Sequence, residues 1–107
     1  MIKTWRDIPG FFDFEDIYDQ AVEEAKDGDI LVEVGSFLGK SAAYMAEKIK
    51  NSGKDNLLFM VVDSWDKREY GKWWIDVCQN PPAPWPVEEL YGKPLENAFW
   101  HCMESVG

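Results

Sequence analysis

Two acidic residues stand at matching places in two apolar runs. Glu33 lies within Ile30-Leu31-Val32-Glu33-Val34, and Asp63 follows Leu57-Leu58-Phe59-Met60-Val61-Val62. If both runs are strands of an open α/β sheet, the two carboxylates lie near the carboxyl ends of the strands, where such sheets bind ligands. Gly35-Ser36-Phe37-Leu38-Gly39 follows the first run as a glycine-punctuated turn and feeds a helix. The free N–H groups and dipole at a helix start favour an anionic group. Gly35 and Gly39 let backbone approach a ligand where a Cβ would clash. An acid closing the second strand is suited to accept hydrogen bonds from a ribose diol. Together these parts describe a nucleoside-type pocket with a carboxylate or phosphate at the helix start.

The elements that must hold this pocket are legible over residues 13–63. Asp13 reads as a helix N-cap with Glu15 and Asp16 in the first turn, and Phe12 with Ile17 as a hydrophobic staple. Phe14, Ile17, Tyr18, Ala21, Val22 and Ala25 recur at helical spacing, with Gly28 as the stop. The two apolar runs read as parallel strands buried on both faces. Between them Leu38, Ala42, Met45, Ala46 and Ile49 mark a second helix, ended by Asn51-Ser52-Gly53. Strand–helix–strand implies a crossover unit and a parallel sheet.

Residues 67–107 form a second, Trp- and Pro-rich part. Lys67-Arg68-Glu69 reads as a solvated loop, and Trp73–Cys78 fits strand or helix equally. The prolines of Asn80–Pro86 demand a rigid loop. Leu95, Phe99, Cys102 and Met103 mark a last helix from about Pro94 to Val106, with Gly107 at a C-cap position.

The chain has 107 residues, enough for one small domain. Its 11 Lys+Arg against 20 Asp+Glu give a net charge of −9, which argues against nucleic-acid and anionic-membrane partners. No apolar run approaches the roughly 20 residues that span a bilayer, and the N-terminus lacks an apolar signal region, so a cytoplasmic location is expected. Cys78 and Cys102 make neither a disulfide framework nor a zinc cluster, and His101 alone makes no metal site. Aromatic residues are 15% of the chain, a heavy load for one small core.

Val32-Glu33-Val34-Gly35-Ser36-Phe37-Leu38-Gly39-Lys40-Ser41-Ala42 resembles motif I of class I S-adenosylmethionine-dependent methyltransferases. The branch it matches reads acid, aliphatic, Gly, Ser, aromatic, any residue, Gly, basic, Ser, and closes its second strand as Val61-Val62-Asp63-Ser64-Trp65 does here. Phe37 stands where the common pattern has its middle glycine. The resemblance covers about residues 12–66 and is loose beyond. It implies a truncated Rossmann-like methyltransferase fold: parallel strands with flanking helices and an incomplete sheet. The cofactor-binding helix–strand–helix–strand would fill residues 1–66, with S-adenosylmethionine as cofactor and S-adenosylhomocysteine as product. Glu33 would then sit near the methionine amino group, and Gly35 and Gly39 beside the methionine and ribose. Ser36 and Ser41 would offer donors to the methionine carboxylate. Asp63 would hold the ribose hydroxyls, and Ser64 and Trp65 would line the adenine side. The acceptor-side half of the family's domain, with its catalytic residues, has no counterpart in this sequence, so the chain reads as a fragment or truncated form. A small-molecule methyl acceptor is compatible with it.

Two rival readings stand beside this one. Gly35 to Ser41 also reads G-x-x-x-G-K-S, a P-loop-like nucleotide-binding turn one residue too short between its glycines. A methyltransferase-like remnant with a structural or interaction role is the other. An unpaired strand edge at Ile30–Val34, or the Trp-rich half, predicts self-association.

Overall fold

The computed structural model describes residues 2–79 and 95–106. A 3₁₀ turn at Trp5–Asp7 precedes α1 (Glu15–Glu24), β1 (Ile30–Val34), α2 (Lys40–Ser52), β2 (Leu58–Val62), α3 (Lys67–Gln79) and α4 (Leu95–Val106). The architecture is mixed α/β: two parallel strands with flanking helices, compatible with part of a Rossmann-like sheet. β1 and β2 pair in register from Ile30↔Leu58 to Val34↔Val62.

α1 differs from expectation at both ends. Phe14, not Asp13, holds the N-cap position, and no side chain caps the helix. The staple is absent, because Ile17 is 66% exposed. Phe12 is instead drawn into an aromatic cluster, its ring 5.6 Å from Trp5, 5.0 Å from Tyr44 and 5.1 Å from Tyr18. At the other end the helix stops at Glu24, well before Gly28. The Lys54 ammonium donates to the carbonyls of Val22, Glu23 and Ala25 at 2.7–2.8 Å, satisfying groups that a longer helix would have used. Gly28, at φ +90°, makes the turn into β1, and its N–H donates to Asn56 O at 2.8 Å.

The strands are parallel as expected but are not buried on both faces. Leu31, Glu33, Phe59 and Val61 form the more protected face, where the Tyr18 hydroxyl of α1 meets Glu33. Ile30, Val32, Val34, Leu58, Met60 and Val62 form the other face and are all exposed. A parallel sheet needs covering layers on both sides, and among the described residues only one side has them.

The largest buried cluster contains no strand residue among those described. It gathers Ile2, Trp5, Ile8 and Phe12 with Leu38, Tyr44, Trp74 and Leu95, joining the N-terminal segment to α2, α3 and α4. α2 ends as predicted at Gly53, in the left-handed conformation at φ +74°. The undecided stretch Trp73–Cys78 is helical, and residues 67–69 open that helix instead of forming a loop, with Arg68 paired to Asp66 at 2.8 Å. α4 forms where expected and buries Leu95, Ala98, Phe99 and Cys102. Burial pushes the Cys102 thiol up to about 12, so it stays protonated at neutral pH. Trp74 is buried, while Trp73 and Trp100 are about half exposed. The Cys78 side chain, Trp85, the proline loop and Gly107 lie outside the described residues. No helix among the described residues is long and apolar enough to cross a membrane.

Candidate functional site

The two acids lie at the same end of the sheet. Glu33 pairs with Val61, and Asp63 follows Val62, the partner of Val34. Gly35 N–H donates to Val62 O at 2.8 Å, and at φ +85° Gly35 turns the chain out of the strand. Residues 35–39 leave the strand as a turn, and Gly39 at φ +92° starts α2. A strand–turn–helix with both carboxylates beside the turn is therefore present.

Asp63 organises that turn. Its Oδ2 accepts the N–H groups of Ser36 (2.6 Å) and Phe37 (2.9 Å) and the hydroxyl of Tyr70 (2.6 Å). Its Oδ1 accepts Trp65 N–H at 2.6 Å. Burial raises the Asp63 pKa, but the bonds from Tyr70, Phe37, Trp65 and Ser36 outweigh it and hold the carboxyl below its ordinary value. Phe37 (φ +52°) and Trp65 (φ +47°) are left-handed non-glycine residues, each costing about 1–2 kcal/mol. They hold each other: the Trp65 indole N–H donates to Phe37 O at 2.8 Å, and both backbone N–H groups end on Asp63. Strain fixed by this many bonds is typical of ligand sites.

Glu33 is only 6% exposed. Its Oε2 accepts the Tyr18 hydroxyl, whereas Oε1 is buried and has no partner among the described residues. The Ser36 hydroxyl is in the same position. Buried polar atoms are nearly always paired, by protein, water or ligand. Burial, and then the bond to Glu33, push the Tyr18 hydroxyl up to about 12, so it remains a donor to that carboxylate.

A cavity of about 360 Å³ opens at the turn. Tyr18, Gly35, Ser36 and Ser41 contribute its polar wall, and Phe11, Phe14, Phe37, Tyr70 and Trp73 its aromatic wall. Phe37 and Tyr70 lie 4.7 Å apart between ring centroids, and Tyr70 and Trp73 stack at 6.4 Å with 28° between planes. Glu33 touches the cavity wall through Tyr18.

The sequence-derived site residues thus divide. Gly35, Ser36 and Ser41 line the cavity, and Glu33 stands behind it. Ser64, Trp65 and Gly39 do not line it. The Trp65 ring packs on Phe99 at 5.0 Å. The space beside Gly39 is filled from within: a Cβ there would lie 2.9 Å from the Phe99 ring and closer still to the Met103 methyl. Asp63 does not line the cavity either: both of its oxygens are engaged by backbone N–H groups, with the Tyr70 hydroxyl on Oδ2. Sequence reasoning missed Tyr18 as the partner of Glu33, having placed it on an apolar stripe. It also missed Tyr70, for which no pattern gave a signal.

Lys40 lines the cavity, but its ammonium is engaged by backbone. Its ammonium donates to the carbonyls of Arg6 (2.9 Å) and Ile8 (3.0 Å), and burial lowers its pKa. The cation that a P-loop reading assigns to phosphates here ties the N-terminal segment to α2. Among the described residues no cluster of three or more His, Cys, Asp or Glu side chains is placed to hold a metal ion. No family model, curated protein or solved structure matches the chain.

Proposed function

We propose that the chain is an S-adenosylmethionine-binding, methyltransferase-like domain. The observation that carries this reading is the unpartnered Oε1 of buried Glu33 beside the 35–39 turn. A ligand ammonium, reached directly or through water, would satisfy it. The Ser36 hydroxyl and the cavity-lining Ser41 supply donors for a ligand carboxylate at the start of α2. The Phe37–Tyr70–Trp73 rings offer an apolar wall to a planar base and a π-face to a cation such as a sulfonium. When bound, the cofactor supplies an activated methyl group. In this chain the residues at hand bind and orient it, and no catalytic base is assigned. Asp63 in this reading fixes the turn through both oxygens, and a ribose hydroxyl would reach Oδ1 beside its bond from Trp65 N–H. Ser64 and Trp65 support the loop from outside the cavity.

A second reading, the non-catalytic remnant of the same fold, draws on a specific observation: α4 fills the space beside Gly39 that a bound ligand would otherwise use. Titration calorimetry with S-adenosylhomocysteine separates the two. Binding is expected in the wild type, weakened about 10- to 100-fold in Glu33→Gln, the factor for one charge-assisted hydrogen bond of about 1.5–3 kcal/mol. The amide introduced by Glu33→Gln keeps an acceptor for Tyr18, so the fold is preserved. Absence of both heat and thermal shift at millimolar ligand would leave the remnant reading in place.

A further inference from the structure

We infer that the bare face of the sheet is a dimer interface on which a second copy of this chain packs face to face. The face is made by Ile30, Val32 and Val34 of β1 and their register partners Leu58, Met60 and Val62 of β2. All six are aliphatic, and they are between 46% and 79% exposed. None carries a charge, although the chain as a whole carries −9.

Area argues for this occupant. At roughly 100 Å² per half-exposed aliphatic side chain, the face presents roughly 600 Å², at the upper limit of patches on stable monomers. Two such faces in contact remove about 1,200 Å² from water, which reaches the range of stable interfaces. A two-fold axis through the face makes the contact self-complementary, with the two sheets about 10 Å apart. Pairing through a free strand edge, the sequence-based expectation, would leave all six side chains wet and double the width of the bare face. Packing through the Trp-rich half would leave the sheet face as it is. Stacking gives the described sheet a cover on its second face. The interface lies on the sheet face opposite Glu33, and Val34 at its end also lines the cavity at the 35–39 turn.

The charge of the chain makes the test specific. Two copies of net charge −9 repel, so salt should tighten the dimer, whereas a cationic partner helix on this face would be weakened by salt. Sedimentation velocity on the full chain should show a monomer–dimer equilibrium at micromolar concentration that shifts toward dimer between 50 and 500 mM NaCl, conditions chosen to span about a threefold change in screening length. Met60→Glu, at the centre of the face, should weaken the dimer at least about 100-fold, as expected for two buried unpaired charges. Val32→Thr keeps the β-branched shape and should weaken it by about 10-fold while retaining the far-ultraviolet circular dichroism of the wild type. A monomer at hundreds of micromolar overturns the inference. So does a dimer insensitive to both substitutions, which would place the contact at the strand edge or the Trp-rich half, and so does a dimer loosened by salt.

Discussion

Replacing Asp63 by alanine is expected to lower stability by about 3 kcal/mol, measured by urea unfolding at pH 7. The substitution removes the acceptor for three backbone N–H groups and the Tyr70 hydroxyl at once. It also releases the two left-handed residues that the carboxylate pins, Phe37 and Trp65. The loss is less than the sum of four charge-assisted bonds, because Asp63 is only partly buried and water replaces some of them. Asp63→Asn keeps the shape and one acceptor oxygen and should lose about 2 kcal/mol. The pH dependence has a definite sign. The folded-state pKa is depressed, so the stabilisation is fully present above the unfolded value of 3.8 and disappears as pH falls through the folded pKa. The gap between wild type and Asp63→Asn should therefore narrow below about pH 4. A gap under about 1 kcal/mol at neutral pH would remove Asp63 as the organiser of the turn.

Gly39→Ala is expected to cost about 2–5 kcal/mol. Two causes add: the left-handed backbone at φ +92°, worth about 1–2 kcal/mol for a residue with a Cβ, and overpacking against α4 of about 1–3 kcal/mol. The Met103 methyl ends a flexible side chain and can swing aside, but the Phe99 ring at 2.9 Å has less freedom. A double-mutant cycle with Phe99→Ala separates the two causes. The packing part should vanish in the Phe99→Ala background and the backbone part should remain. Full additivity would mean that α4 does not press on the turn.

Much of the positioning frame was legible because its signals are local. Two apolar runs bounded by turn residues gave β1 and β2 to within a residue, and Gly53 ended α2 where a left-handed cap was needed. The burial of those strands was not legible. An apolar run shows that a strand can be covered on both faces, but covering depends on elements elsewhere in the chain. The α1 boundaries failed for a related reason. Phe12 could serve a staple or a distant aromatic cluster, and Trp5 and Tyr44 win it in three dimensions. α3 was undecided because its aromatic residues suit strand and helix equally. At the site, sequence pattern placed Glu33, Asp63 and the turn together, since strand ends and parallel register fix them. It did not show that Asp63 would turn inward to hold backbone, that Tyr18 would reach Glu33, or that Phe99 and Met103 would occupy the space beside Gly39. Those facts depend on side-chain partners from α1, α3 and α4.

The Lys54 contact means that α1 borrows its terminal counter-charge from the far side of a crossover. The helix has no basic residue in its own last turn, and the ammonium that neutralises its carbonyl end comes from a residue 29–32 positions away. At ten residues it is also below the length at which helices persist alone in water. An excised peptide of residues 13–28 should show little helical circular dichroism, and acetylating Lys54 in the intact chain should speed amide exchange at Ala21 to Ala25. α1 is in this sense a dependent segment: the cation that its carbonyl end lacks is supplied from the β1–α2–β2 unit.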